Sequence, residues 1–509
     1  MSVNTIPLGA AILNGVTYQG LHINIPLKTL NRHGLIAGAT GTGKTKTVQG
    51  LAGALATKGV PVLLMDIKGD LSGVAKAGES HPKIEERAES IGLSFIPKEH
   101  TVEFLSLSDE KGVQLKATVS EFGPVLFSKM LGLNDIQSGV MALLFKYCDD
   151  HQLPLMDLKD VKKTLNYLTN EGKEDIQEEY GSIASRSVAA IIRKIIELEQ
   201  QGADKFFGEK SFEVNDLVRF DEKGEGIISI LRLTDIQNKP KLFSSFMLSL
   251  LAEVYSSFPE EGDLDQPKLV IFIDEAHLIF EEASKELLNQ LEIIVKLIRS
   301  KGVGIFFCTQ NPADIPADIL GQLGLKVQHA LRAFTAADRK KIKAAAENYP
   351  LTDYYKTDQL LTSLGIGQAL ITAISEKGTP TPLVATLLCA PDSRMGILTD
   401  HEISEIVAKS LLVQKYNRVI DSTSAYEILT EKIKLAQKVE EQERFQRQQE
   451  KILQSQRKSS YSKGGQRRQK STLETVTDSG MAKQIGRTLV REITRGILGV
   501  LGLGGRSRR

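Results

Sequence analysis

The chain has 509 residues, 41% of them hydrophobic and 25% charged, which is typical of a folded globular protein of about three domains. Three widely spaced cysteines without a C-x-x-C pair argue against a disulfide framework and a cysteine zinc site. Neither a signal region nor an apolar run near the ~18 residues of a membrane helix occurs, so we expect a cytoplasmic protein without a transmembrane segment.

The net charge of +1 is unevenly distributed. Residues 451–509 carry 14 Lys and Arg against 3 Asp and Glu, so a basic tail of +11 follows an acidic body of −10. The tail could bind nucleic acid, an anionic membrane surface or an acidic protein, including the body of its own oligomer. The sequence does not decide among these partners.

A phosphate-binding loop is the first functional motif in the chain. After predicted strands and turns over residues 1–33, the apolar run Gly34–Ala37 leads into the pattern G-x-x-x-x-G-K-[ST], and a helical pattern covers residues 46–58. The motif requires this context of strand, loop and helix. We assign nucleotide binding to Gly38, Ala39, Thr40, Gly41, Thr42, Gly43, Lys44, Thr45 and Thr47.

These residue types fit the chemistry of a triphosphate. Glycines let successive backbone N–H groups point into one concavity at a helix N-terminus, which favours bound phosphate. Lys44 is predicted to reach the β and γ phosphates, and the Thr45 hydroxyl to take one position on Mg²⁺. ATP and Mg²⁺ are therefore the predicted cofactors.

A second buried strand is predicted over residues 61–66. It ends in Asp66, and Asp70 follows in a turn at the carboxyl edge of the sheet, where open α/β folds bind ligands. Either carboxylate could contact Mg²⁺ or substrate. A plain turn with solvated charges is equally compatible with the sequence.

Residues 106–224 interrupt the alternation of strands and helices. Apolar positions recur there at helical spacing, and one helix is predicted over Ser185–Gln200. We interpret the segment as a helical insertion between two strands of the core. Its apolar residues are predicted to pack and to carry no chemistry.

Two acids end the most apolar of the later strands. The sheet is predicted to resume at residues 226–231 and again at 268–275, where Asp274 and Glu275 close the strand. Asp274 is predicted to hold the Mg²⁺ shell, and Glu275 to polarise the attacking water as general base. Residues 274–277 also match the signature of one helicase superfamily, but no other motif of that superfamily occurs. His277 is interpreted as a helix cap or a neighbour of the site.

The next strand supplies amide side chains. A helix predicted over residues 283–301 precedes a strand over 304–309, which delivers Gln310 and Asn311 to the same sheet edge. An amide there can sense the γ-phosphate or align the water, and a strand-end turn is the alternative. We select Gln310 as a catalytic candidate.

A further strand, predicted over residues 327–334, carries Arg332. An arginine finger stabilises charge on the transferring phosphoryl group, often from a neighbouring subunit. We select Arg332 for this role, with a solvated arginine as the alternative. Arg299 is a weaker candidate.

These motifs together resemble bacterial HerA-like proteins of the HerA/FtsK class of P-loop ATPases. The resemblance covers residues 5–400 and rests on the ordered segments 38–45, 66–70, 273–277, 309–316 and 320–334. It implies a RecA-like core, ring-shaped homo-oligomers, specifically hexamers, and a motor that converts ATP hydrolysis into movement of DNA.

The same resemblance implies roles for single residues. By this resemblance, Gln310 is the sensor and Arg332 the arginine finger. Lys44 and Thr45 bind phosphate and Mg²⁺, and Asp274 and Glu275 act on Mg²⁺ and water. The archaeal helicase of the class has an N-terminal β-barrel associated with nuclease partners. Only 33 residues precede the strand of the phosphate loop here, so we expect no such barrel and carry over no nuclease partner.

The predicted fold is α/β, with a RecA-like P-loop NTPase core around a mainly parallel central sheet. We assign the core to residues 1–105 and 225–400 and the helical insertion to 106–224. A helical extension is predicted over 401–457, and within it the sparse apolar positions of residues 425–457 indicate an exposed helix or a short coiled coil. A basic linker and amphipathic tail follow over 458–509, with the alternation of apolar and basic residues at 481–503.

Three functions are compatible with this sequence. They are an ATP-driven DNA translocase or helicase, a motor that acts on protein or another polymer, and an ATP-binding scaffold with little turnover. The phosphate loop and the strand with two terminal acids together argue against the scaffold. We carry forward the DNA motor as the prediction.

Overall fold

The computed structural model describes residues 4–235, 239–262, 264–281, 285–418, 420 and 422–460. The chain divides into two compact units, Met1–Ile433 and Lys434–Arg509. The amphipathic tail predicted near the C-terminus, residues 481–503, lies outside the described residues. Among the helices that are described, none combines the length and the apolar character needed to cross a bilayer.

Within the described residues, twelve strands form one sheet. They are β1 (Thr5–Leu13), β2 (Val16–Pro26), β3 (Gly34–Ala37), β4 (Val62–Asp66), β5 (Val102–Ser106), β6 (Val113–Gln114), β7 (Ile228–Arg232), β8 (Leu269–Ile273), β9 (Val303–Thr309), β10 (Leu325–His329), β11 (Gln368–Ala373) and β12 (Val384–Leu388). Their order across the sheet is β2-β1-β12-β11-β10-β3-β9-β8-β4-β7-β5-β6.

The sheet is parallel from β10 to β6 and antiparallel from β2 to β10. The central strands β3, β4, β8 and β9 are buried along their whole length, as expected for parallel strands covered on both faces. This confirms the predicted α/β class with its mainly parallel sheet. The antiparallel section was not predicted.

Strand β9 lies between the strand of the phosphate loop, β3, and the strand with the two terminal acids, β8. Leu35 pairs with Phe307, and Ile273 pairs with the same residue from the other side. The three strands are therefore in register, and their carboxyl ends reach one edge. This central arrangement is that of the predicted RecA-like P-loop core.

Helices cover both faces of the sheet. Those with α-helical geometry are α1 (Lys44–Thr57), α2 (Pro82–Ile91), α3 (Val119–Met130), α4 (Asp135–Asp150), α5 (Leu158–Thr169), α6 (Lys173–Glu179), α7 (Ser185–Gln200), α8 (Ala203–Phe206), α9 (Pro240–Ser257), α10 (His277–Glu281), α11 (Lys285–Leu297), α12 (Ala317–Leu320), α13 (Ala336–Glu347), α14 (Thr357–Ser363), α15 (Asp400–Ala408), α16 (Leu411–Tyr416) and α17 (Ala425–Ser460).

Alternate residues of each central strand belong to different cores. Leu63 and Met65 of β4 pack into a core with the helices α3 to α9, and Leu64 packs on the other face with Leu51 and Leu55 of α1. The alternation follows from the two-residue period of a strand. The sheet is thus held between two apolar layers, which fixes the position of its polar carboxyl edge.

Six helices, α3 to α8, lie between β6 and β7, within the segment interpreted as an insertion. Three of them begin at capping boxes, in which Thr118, Asn134 and Asp157 accept backbone N–H bonds at the helix start. Helix α7 has the predicted bounds. The domain boundaries themselves stay a prediction.

Two predicted elements differ in their ends. The helix predicted over 283–301 is α11 followed by a 3₁₀ turn, Ile298–Lys301, and residues 282–284 are not described. The strand predicted over 327–334 is β10, which ends at His329, so Arg332 lies in the loop beyond it. Helix α17 includes the predicted C-terminal helix over 425–457.

Candidate nucleotide site

The candidate site lies at the carboxyl edge of the parallel strands. Ala37 pairs with Thr309, and Met65 pairs with Ile273, so the segments after β3, β4, β8 and β9 begin at one level. Ligands of open α/β sheets bind at this edge. The sequence motifs are thus adjacent in space although they are far apart in the chain.

Backbone geometry shapes the phosphate loop. Gly43 caps helix α1 with a φ of 111°, and Gly38 has a φ of 153°, which are conformations that L side chains rarely adopt. A Cβ on Gly38 would also lie 2.5 Å from the Cβ of His329. Both glycines are therefore required by the shape of the loop.

Lys44 is held by its own loop in this conformation. Its Nζ donates to the carbonyl oxygens of Gly38 at 2.7 Å and Ala39 at 3.3 Å. Burial, followed by the charge of Lys68, lowers the pKa of Lys44. A nearby phosphate would stabilise the charged form of this lysine, because its negative charge offsets the cost of burial.

Thr45 and Asp70 face each other at the start of α1. The Thr45 hydroxyl donates to Asp70 Oδ2 at 3.2 Å, and Asp70 Oδ1 is buried without a hydrogen-bond partner among the described residues. Hydroxyl and carboxylate oxygens are ligands that Mg²⁺ prefers, usually together with substrate phosphates. The residues at this point fit a magnesium ion that arrives with the nucleotide.

Asp66 serves the turn that follows β4. Its carboxylate accepts N–H bonds from Gly69 at 2.7 Å, Asp70 at 3.1 Å and Leu71 at 3.1 Å. Burial raises the pKa of Asp66 to about 6 although these bonds favour the charged form. Asp66 therefore fits the interpretation as part of a turn, although its carboxylate is buried and not solvated. Asp70 instead faces the site.

Asp274 and Glu275 follow β8 directly. Burial, and then the neighbouring charge of Glu275, raises the pKa of Asp274 to about 7. Glu275 is only 3% exposed and has a φ of 44°, in the left-handed region that non-glycine residues rarely adopt. Such backbone conformations cluster at functional sites.

Both carboxylate oxygens of Glu275 contact a basic side chain. Oε1 forms an ion pair with Lys68 Nζ, and Oε2 lies 3.2 Å from His277 Nδ1. His277 is the first residue of α10 and is therefore a neighbour of the site, as one of the two interpretations has it. Lys68 was not selected from the sequence.

The amide candidates separate into two roles. Gln310 is exposed and directly follows Thr309, the last residue of β9, so it lies at the edge beside the phosphate loop. Asn311 instead accepts from the N–H of Ala313 and caps a short turn. The structure leaves Gln310 as the amide that is free to face a ligand, and its role stays a prediction.

The two arginine candidates lie at different edges. Arg332 is exposed in the loop after β10, at the edge of the phosphate loop, and forms no ion pair within the described part of the chain. Arg299 lies in the 3₁₀ turn before β9, at the opposite edge, near His33, whose pKa is lowered to about 4 by burial and, to a smaller extent, by the charge of Arg299. Because it lies at the opposite edge of the sheet, Arg299 cannot act on the same phosphate in its own subunit.

His329 is a site residue that the sequence analysis missed. It is fully buried at the end of β10, and its Nε2 lies 3.0 Å from the hydroxyl of Thr47. Burial, and then the charge of Lys44, lowers the pKa of His329 to about 4, so the ring is neutral at pH 7. Thr47 therefore contacts His329 near the start of α1, and its role in nucleotide binding stays a prediction.

Comparison with known families agrees with this geometry. The family model described as "Helicase HerA-like C-terminal" matches residues 12–509. The chain belongs to this HerA-like family. Curated relatives include the protein named DNA double-strand break repair helicase HerA from Sulfolobus acidocaldarius, which is 23% identical over 377 residues, covering 69% of this chain and 64% of the relative.

A second HerA relative, from Sulfurisphaera tokodaii, is 23% identical over 360 residues, with 68% of this chain and 63% of the relative covered. The chain thus spans somewhat less than two thirds of the length of these HerA helicases. Similar solved structures include the bacterial conjugative coupling protein TrwB, with 14% identity, a TM-score of 0.49, and 78% of this chain and 97% of that chain covered. VirB4 of Thermoanaerobacter pseudethanolicus gives 16% identity, a TM-score of 0.47, and coverage of 76% and 97%.

Proposed function

We propose that the protein is an ATP-hydrolysing motor that acts on DNA as a translocase or helicase. The observation that carries the proposal is the convergence of Lys44, Thr45, Asp274 and Glu275 at one sheet edge, beside a loop whose glycines have φ values that L side chains rarely adopt. Family membership supports the same activity.

Each residue has a defined task in hydrolysis. The backbone N–H groups of the loop bind the phosphates, and Lys44 leaves its loop carbonyls for the β and γ phosphates. Thr45 and Asp274, with Asp70 beside Thr45, would hold Mg²⁺, which would supply positive charge at the phosphate oxygens. Glu275 accepts a proton from the attacking water as the water oxygen bonds to the γ-phosphorus and the bond to the ADP oxygen breaks.

The finer parts of the proposal concern the assembly. We infer a ring-shaped homo-oligomer, a hexamer by family resemblance, in which Gln310 senses the γ-phosphate and Arg332 reaches a nucleotide bound by the neighbouring subunit. DNA is the proposed substrate because the curated relatives are named as DNA repair helicases. The three free cysteines are compatible with the cytoplasm as location.

The experiment is steady-state ATP hydrolysis by the purified full chain with Mg²⁺, with and without single- or double-stranded DNA, over a series of salt concentrations. Lys44→Ala serves as the blank, because it removes the phosphate-binding cation. We expect hydrolysis that DNA stimulates and that salt weakens, since phosphate contacts release counterions. Lys44→Ala and removal of Mg²⁺ with EDTA should each lower the rate at least about 100-fold.

Two outcomes would contradict the proposal in different ways. Hydrolysis equal to that of Lys44→Ala would show that the chain is not an ATPase. Robust hydrolysis that ignores every DNA would keep the ATPase and overturn the DNA motor, in favour of a motor for protein or another polymer.

A further inference from the structure

Glu275 is shielded from water in the described conformation. Its side chain is buried, and neither carboxylate oxygen has exposed surface. A general base must lie within hydrogen-bond distance of the water that it activates. The carboxylate has to become accessible before it can act.

Lys68 is the more exposed of the two basic side chains that contact the carboxylate. Its Nζ forms an ion pair with Glu275 Oε1, while 36% of its side chain remains exposed. His277 Nδ1 contacts the other oxygen at 3.2 Å. Both oxygens therefore contact basic groups of this chain, and of the two groups the lysine has the longer, flexible stem.

The backbone on each side fixes this contact. Strands β4 and β8 are parallel neighbours, so the residues after them emerge side by side. The turn that carries Lys68 is held by Asp66 through three N–H bonds. Glu275 is anchored on the other side, where its carbonyl accepts from Leu278 N–H at 2.9 Å and the next N–H, of Ala276, donates to Cys308 at 2.9 Å.

We propose that Lys68 is a positioning residue that holds Glu275 closed and keeps ATP hydrolysis low until the motor engages its substrate. The inference rests on the proposed function, in which Glu275 is the general base. Breaking the ion pair frees Oε1 to accept a proton from water. Lys68 is assigned no contact with the nucleotide or the attacking water, and it acts through Glu275.

The first test compares the kinetics of Lys68→Ala with the wild type. Removing the ammonium group should raise kcat in the absence of DNA roughly three- to tenfold. This increase corresponds to a fraction of the free energy of one charge-assisted hydrogen bond. The increase in kcat should occur only in the absence of DNA, because binding of DNA already opens the ion pair between Lys68 and Glu275 in the wild type. KM for ATP, and the affinity for a non-hydrolysable ATP analogue with Mg²⁺, should stay within about twofold.

Two variants control this test. Lys68→Arg retains a cation for Glu275 and should restore the low rate. Lys98→Ala removes a lysine of similar exposure, which pairs with Glu225 at 2.7 Å away from the site, and should leave the kinetics unchanged. A lower kcat or weaker analogue binding in Lys68→Ala would make Lys68 a phosphate ligand, and unchanged kinetics would make the ion pair inert; either overturns the proposal.

The second test is independent of hydrolysis. Carboxyl groups are labelled with a carbodiimide and glycine ethyl ester and are quantified by mass spectrometry, with the exposed Glu376 as internal reference. Glu275 should be protected in the wild type and in Lys98→Ala, and labelled in Lys68→Ala. Equal labelling in all three overturns the closed contact, whether or not the chain hydrolyses ATP. Failure of the ATPase itself is recognised separately, as a wild-type rate no higher than that of Lys44→Ala.

Discussion

Asp274 and Glu275 are adjacent carboxylates with different surroundings. Asp274 is half-buried and the pKa of its carboxyl group is raised to about 7, whereas Glu275 is buried and forms an ion pair with Lys68. A divalent cation stabilises the charged form of a carboxylate, and a general base needs a carboxylate that can exchange partners. This difference supports the proposed division of labour between the two acids.

We predict that Glu275→Gln lowers kcat by about 10²–10³, because an amide cannot take the proton from water. KM for ATP should change by less than about twofold, since the side chain is not assigned to binding. Steady-state hydrolysis over a range of ATP concentrations measures both constants. Glu103→Gln is the matched control, because Glu103 is also buried and forms an ion pair with Arg219 at 3.0 Å. Equal losses in both variants would indicate a loss of folding and contradict the catalytic role.

At the scale of elements, a buried carboxylate ties α5 to the start of α17. Asp160 Oδ1 accepts from the Ser424 hydroxyl at 2.5 Å and from Tyr426 N–H at 2.8 Å, and Oδ2 accepts from Met156 and Asp157 N–H. The residue is fully buried, and burial raises its pKa. Four hydrogen bonds compensate the cost of burying the charge.

We predict that Asp160→Ala lowers the free energy of unfolding by about 2–4 kcal/mol, because it leaves one buried and three part-buried donors without this acceptor. Asp160→Asn should cost less, since one carbonyl oxygen remains. Urea denaturation followed by circular dichroism measures the difference. Ser424→Ala removes a single donor and should cost about 1 kcal/mol. A loss for Asp160→Ala no larger than for Ser424→Ala would contradict the network.

A second element, α15, is joined to the loop before it by an ion pair. Arg394 donates to both carboxylate oxygens of Glu402, at 2.9 and 2.8 Å, and Glu402 also caps the helix at Thr399. These bonds lower the pKa of Glu402 to about 2, from an ordinary value of 4.5. The carboxylate therefore favours the folded state above pH 4.5, and the contribution is lost as the pH falls towards 2.

We predict that Glu402→Gln is less stable than the wild type at pH 7 and that the difference shrinks as the pH falls from about 5 to about 2. Denaturant unfolding at a series of pH values measures it. Glu405→Gln on the same helix, whose acid lies 3.7 Å from an exposed histidine, provides the control. A difference between Glu402→Gln and the wild type that is independent of pH would contradict the charge-assisted pair.

At the scale of the whole molecule, the candidate site is incomplete in one respect. Arg332 is exposed at the edge of the phosphate loop, and within the described residues it pairs with no acid. A ring of identical chains would bring this edge against a neighbour, since cyclic assemblies repeat one heterologous contact. An arginine supplied across that contact completes a site for phosphoryl transfer.

We predict that Lys44→Ala and Arg332→Ala, each inactive, regain activity when their subunits are mixed. A site formed by Lys44 of one variant and Arg332 of the other is intact, so a random equal mixture should reach about a quarter of the wild-type rate. ATP hydrolysis after co-refolding or subunit exchange measures the regain. Lys44→Ala mixed with the Lys44→Ala, Arg332→Ala double variant is the control, and no regain in the first mixture would contradict action between subunits.

Local sequence determined the phosphate loop, the strand with its two acids and the α/β class. These features depend on contiguous residues: glycines at fixed spacing for the turn, and apolar runs for strands buried on both faces. Gly38, Lys44 and Asp274 could be selected for that reason. The helix Ser185–Gln200 could be predicted with its exact bounds from apolar spacing.

Only the tertiary structure decided which side chains meet at the sheet edge. Lys68 and Glu275 are 207 positions apart, and their contact depends on β4 and β8 being neighbours. The same holds for His329 beneath the phosphate loop, for the turn held by Asp66 and for the distance of Arg299 from the site. Strand order and register set these contacts through long-range packing, which has no local sequence pattern.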